Sequence, residues 1–196
     1  MKKNIISMVL ITIPFALASN ASAQKDSSGI YKTASDFQQK KLSYAINYKT
    51  EKHKIKDNLL FHGAEIKVVH EGQTYKLDKN STYGYKSSKG EVFRFVGNNE
   101  YKVLNPGESP MLYAYTHPTS ATKGNFHYIS DYYFSTDAAS TPQALTKENL
   151  KKAFPDNHKF HDALDATFKS DEGLSSYDNF HKMYKVNHIL EASRKQ

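Results

Sequence analysis

In the run Val92-Phe93-Arg94-Phe95-Val96, Phe93 and Phe95 fall on one side and Arg94 on the other. That period of two marks a strand with one face in a core and one face in water. Comparable runs, rich in Tyr, Val, Ile, Phe and Thr, fill the chain from residue 24 to 141, broken by Gly, Asn and Pro. AEIKVVHEGQTYKLDK reads as two alternating runs joined at Glu71-Gly72, a tight hairpin because Gly tolerates positive φ. Turn chemistry also marks 87–90, 97–99 and 105–109. A short helix started by Thr33 or Ser35 precedes a strand around Leu42 to Lys49. Strands this close, with no helices between them, cannot be parallel crossovers. They predict an antiparallel meander of roughly seven or eight strands, barrel-like or folded as a sandwich.

The period changes near Pro142, in the small-residue stretch STDAASTPQ. In ALTKENLKKAFP, Thr146 caps a helix, Leu145 and Leu150 occupy the two positions of a hydrophobic staple, and Pro155 ends it. DNHKFHDALDATFKS puts Phe160, Ala163, Leu164, Thr167 and Phe168 along one helical face. Gly173 breaks the chain. Ser175 or Ser176 then caps a third helix, with Tyr177, Phe180 and Tyr184 as its stripe and Leu190 farther on. The expected class is α+β, with residues 24–141 as a β-rich domain and 142–196 as a helical segment of about three helices docked on it.

The first 23 residues change the picture. Lys2 and Lys3, an apolar run from Ile5 to Ala18 and the small-x-small triplet Ala21-Ser22-Ala23 read as a secretory signal peptide cleaved after Ala23. The apolar run is shorter than the about 20 residues a membrane span needs. The expected location is therefore periplasmic or extracellular. Loss of Lys2 and Lys3 lowers the net charge from +7 to about +5. That mild excess does not approach the dense basic stripe of a nucleic-acid binder. The absence of Cys excludes a disulfide framework, a thiol nucleophile and a thiolate metal site.

Candidate chemistry is sparse. There is no G-x-S-x-G elbow, P-loop or dinucleotide fingerprint, and PGESPM reads as a turn. Glu91, Glu100, Asp131 and Asp137 are carboxylates of the kind a glycosidase pairs, without a pattern that sets them apart from solvated strand and turn residues. Four histidines punctuate the tail, His158, His161, His181 and His188. His158 and His161 are neighbours on one helix, with His161 placed toward water. On a continuous third helix His181 and His188 stand two turns, about 10 Å, apart and too far to share an ion. A Zn or Cu site would then need ligands from both helices, and solvated or interface histidines are the preferred account. In EKHKIK, Lys52, Lys54 and Lys56 alternate with His53 and Ile55 and share one strand face. That row suits an anionic envelope polymer or lipid headgroup, or simply guards an edge strand from aggregation. Tyr83, Tyr85, Tyr101, Tyr113, Tyr115, Tyr128, Tyr132 and Tyr133 either present an aromatic platform or pack half-buried strands.

The segments IYKTASDFQQKKLSYAI, KNSTYGYKSSKGEVFRFVGNNEYKVL and the tail from Leu145 to Leu190 resemble uncharacterised exported proteins of Bacteroidota-type Gram-negative bacteria. The resemblance implies an envelope location and a β-domain with a helical tail, and it transfers no functional residues. The leading expectation is a non-enzymatic envelope binding or interaction module without a cofactor. The alternative is a periplasmic metal-binding or metal-resistance protein using the C-terminal histidines, and a hydrolase on a β-scaffold stands third.

Overall fold

Thirteen strands and four helices make up the described part of the chain. The strands are β1 (Ser27–Tyr31), β2 (Ser43–Asn47), β3 (Lys54–Lys56), β4 (Glu65–His70), β5 (Gln73–Asp78), β6 (Gly84–Lys86), β7 (Val92–Val96), β8 (Asn99–Val103), β9 (Met111–Pro118), β10 (Tyr128–Ser135), β11 (Gln143–Ala144), β12 (Tyr177–Asp178) and β13 (Met183–Tyr184). The helices are α1 (Ala34–Gln38), α2 (Lys147–Ala153), α3 (His158–Thr167) and α4 (Lys185–Arg194). The structure is a computed structural model and describes residues 27–51, 54–56, 63–119 and 127–195. The expected leader (1–23) and Lys52 lie outside the described residues.

Eight strands form one antiparallel sheet in the order β11-β10-β9-β8-β7-β6-β1-β2. The expected α+β meander is what forms. The barrel alternative does not, because the sheet ends at β11 and β2 without joining them. Strands β3, β4 and β5 make a separate sheet, whose hairpin turns at Glu71 (φ 50°) and Gly72 (φ 76°). Two successive positive φ values are the two-residue turn whose twist matches its strands.

Directly paired residues of an antiparallel sheet share a face, so the register sorts the large sheet into two sides. On one side Val92, Tyr101, Val103, Met111 and Tyr113 pack with Tyr31, with Phe37 of α1 and with Ala138. The other side is divided. Over β1, β6 and β7, Ile30, Tyr85 and Phe95 meet Ile66 and Val68 of the small sheet. Over β9 and β10, Leu112 and Phe134 meet the helices through Leu145, Leu150, Phe160, Leu164, Phe168, Val186 and Leu190.

Coverage of both sides corrects the reading of Arg94. Its side chain is only 7% exposed, because the face opposite Phe93 and Phe95 is itself a core. Nη1 donates to the Tyr113 hydroxyl at 2.8 Å, and the guanidinium lies 5.1 Å from the Tyr83 ring centre, a cation–π contact. Gly84 is fixed by the same close packing: a Cβ there would lie 2.0 Å from the Phe93 carbonyl oxygen.

Local signals set the first two tail helices. Thr146 accepts from Asn149 N at 3.1 Å, and both staple leucines are buried. The expected three helices of the tail form as α2, α3 and α4, but the third does not start from Ser175. Residues 171–175 make a 3-10 turn, β12 and β13 pair as a hairpin, and α4 begins only at Lys185. Phe180, assigned to that helix's apolar stripe, is 88% exposed at the hairpin tip. No described helix is long and apolar enough to cross a membrane.

Candidate metal centre

Asp178 builds the tip of the β12–β13 hairpin. Its Oδ1 accepts the backbone N–H groups of Phe180 at 2.8 Å and His181 at 3.2 Å, a side chain standing in for a backbone turn. Lys182 closes the turn at a φ of 58°. His181 therefore rides on a turn rather than a helix. Tyr184 is at once the last residue of β13 and the N-cap of α4, so the helix starts where the hairpin ends. His188 lies in the first turn of α4 and faces back over the hairpin.

This geometry overturns the expected separation of about 10 Å. The His181 and His188 rings stack with centroids 3.6 Å apart and planes 22° from parallel. Asp178 Oδ2 lies 2.8 Å from His181 Nδ1. One donor atom from each of Asp178, His181 and His188 falls within 4.8 Å of the other two. The His181 ring and then its backbone N–H hold the Asp178 carboxyl down at about 2, so it stays ionised at neutral pH. Around a tetrahedral Zn²⁺ with ligand bonds of about 2.05 Å, donors stand about 3.3 Å apart, so the three would have to close in from the separations seen here. The two stacked rings must splay for their in-plane lone pairs to converge. With an ion bound, Asp178 would serve as the oxygen ligand or, keeping its bond to Nδ1, as the carboxylate that orients His181 while Nε2 met the ion. Two imidazoles and a carboxylate, with no sulfur, suit Zn²⁺, Cu²⁺, Ni²⁺ or Co²⁺ better than Cu⁺, Ca²⁺ or Mg²⁺.

The other two histidines stand apart from this group. His158 and His161 meet edge to face at 5.8 Å on α3, and His161 Nε2 lies 2.9 Å from the Phe154 carbonyl. That contact leaves His161 half-buried against the end of α2, where water was expected. Asp178 was missed altogether in the sequence. Its Asp-Asn dipeptide is a turn signal, masked by three aromatics at helical spacing.

The candidate carboxylates are dispersed. Glu91 pairs with Lys102 Nζ at 2.7 Å, and that bond lowers its carboxyl. Asp131 meets His117 Nε2 at 2.9 Å. Glu100 accepts from the Tyr85 hydroxyl. Asp137 accepts from Ser140 and from the Ala139 N–H, which hold it below the ordinary range. Asp137 and Glu108 both border a half-open cleft of about 1000 Å³ floored by Tyr31, Phe37, Val92 and Met111. Asp137 is engaged there in closing its own turn.

Lys54 and Lys56 occupy β3 on either side of Ile55. The register sets Lys56 opposite Lys67, and Lys67 opposite Lys76.

No protein-family model matches the chain, and no curated protein or solved structure matches it significantly.

Proposed function

We propose that the protein is an exported binding protein whose ligand is a divalent transition-metal ion held by Asp178, His181 and His188. The carrying observation is the convergence of three donor atoms within 4.8 Å from a hairpin and the helix that directly follows it. Export rests on the N-terminal pattern of two lysines, an apolar run and a small-residue cleavage triplet. Three protein ligands leave a further coordination position to water or to an exchanging group, as in open zinc sites. This suits reversible binding and carriage of the ion.

The test is thermal unfolding of the chain from Gln24 onward, with micromolar Zn²⁺, Cu²⁺ or Ni²⁺ and with chelator. At a free ion concentration 100 times the dissociation constant the native state gains about 2.7 kcal/mol, a rise of roughly 5–10 °C for a chain of this size. Asp178→Asn and His188→Ala are expected to abolish the rise, while His158→Ala preserves it. A rise that survives both of the first two substitutions, or no rise with any of the three ions, overturns the proposal.

A further inference from the structure

The three-stranded sheet β3–β4–β5 carries a pattern that edge protection does not explain. Its inward positions are Ile55, Ile66, Val68, Tyr75 and Leu77, packed with Ile30, Tyr85 and Phe95 or held half-buried. Its outward positions include Lys56 on β3, Lys67 on β4 and Lys76 on β5, each directly opposite the next. Lys67 and Lys76 are exposed. Neighbouring strands are about 4.8 Å apart, so the row spans about 10 Å with one lysine position per strand.

Like charges directly opposite each other destabilise a sheet. Lysine on an edge strand repays this by discouraging edge pairing. Lys67, however, lies on the central strand, where there is no edge to guard. A repulsive row kept across a central strand is understandable if an anion bridges it.

The neighbouring rows define the shape of that anion. One step along the strands, Glu65 stands opposite Asp78, an acidic pair on the same face. On the other side lie Lys54, Val69 and Thr74. A broad anionic surface such as a bilayer would press on the acidic pair. A narrow chain lying across the strands meets lysine positions and avoids that pair.

We infer that this face binds a linear polyanion, of the acidic polysaccharide class, laid across the three strands along Lys56, Lys67 and Lys76. The site is separate from the metal centre and does not depend on it. The attraction is between exposed groups, so it weakens as salt is raised.

The test measures binding of the chain from Gln24 onward to polygalacturonate oligosaccharides at low and at physiological salt. Vesicles of phosphatidylglycerol and phosphatidylcholine run in parallel. The double variant Lys67→Gln/Lys76→Gln is expected to bind the oligosaccharide about tenfold more weakly or worse. Its melting temperature stays equal to wild type or rises, because two facing cations are gone. Glu65→Gln is expected to tighten binding. Unchanged affinity in a folded double variant, or binding to the vesicles but not to the oligosaccharide, overturns the inference. If the double variant unfolds, Glu65→Gln decides alone: no tightening overturns it as well.

Discussion

Asn105 and Asn187, 82 residues apart in the chain, share one acceptor: their side-chain amides donate to the Pro110 carbonyl at 2.9 and 2.8 Å, and Asn105 also reaches Asn187 Oδ1 at 3.2 Å. Asn105 Oδ1 in turn accepts from Leu112 N at 2.6 Å. Both residues are buried, so the first turn of α4 is tied to the β8–β9 connection by bonds with no competing water. His188 is the next residue, and this tie sets where its ring can stand.

Asn187→Ala removes its own bond to the Pro110 carbonyl and the one it accepts from Asn105, while Asn105 keeps its bonds to Pro110 and Leu112, so the helix turn loosens from the β8–β9 connection. An unfolding midpoint in urea corresponding to a loss of about 1–3 kcal/mol is expected, from two buried hydrogen bonds of roughly 0.5–1.5 kcal/mol each. The metal-dependent rise in melting temperature should shrink with it. A loss under 0.5 kcal/mol, on the order of an ordinary surface change, contradicts this account.

Gly84→Ala is expected to be among the most damaging single-methyl additions. The new Cβ meets a backbone oxygen of the paired strand, which cannot rotate away, so β6 and β7 must separate. A loss of about 3 kcal/mol or more is expected, or failure to fold, read by circular dichroism and denaturant titration.

Tyr83 presents the opposite case. Its hydroxyl is buried beside that of Tyr113 without a well-formed hydrogen bond among the described residues, and burial, then the neighbouring Tyr113, raises its ionisation well above the ordinary phenol range. The ring is what packs, stacked on Phe37 at 5.2 Å. Tyr83→Phe keeps the ring and removes the stranded group, so stability is expected to hold or rise by about 1 kcal/mol. A clear loss in denaturant titration would show that the hydroxyl is bonded after all.

Asp165 joins α3 to α2 through Lys151 at 2.6 Å and Lys147 at 3.4 Å. The bond from Lys151, then that from Lys147, holds its carboxyl below the ordinary value of 3.8. A depressed carboxyl stabilises the fold above its unfolded value, and that contribution disappears as pH falls through the folded one. The difference in stability between wild type and Lys151→Ala should therefore be present at pH 6 and fade below about pH 4. Carboxyl NMR titration should show the Asp165 midpoint moving up toward 3.8 in the variant.

The legible parts of this fold are those with local causes. Glu71-Gly72 turned as expected because the turn chemistry sits in two adjacent residues. Leu145, Thr146 and Leu150 worked for the same reason, within one helical turn of each other. Arg94 was misplaced because alternation tells which side a residue takes and not what covers that side. The tail hairpin was misread because Tyr177, Phe180 and Tyr184 fall three and four apart, which a helix and a tight hairpin both allow. The metal candidate depended on that one element. With a helix through 177–184 the two histidines are held apart, and with a hairpin they stack. The cross-strand lysines escaped notice because Lys67 and Lys76 join Lys56 only through strand pairing.

Tyr184 ends the hairpin and caps the helix with nothing between, so no loop of free residues separates His181 from His188. In the proposed site an ion would draw its ligands from one short continuous stretch, and little chain entropy would be lost in assembling them. Binding strength would then go into the bonds themselves rather than into ordering the polypeptide.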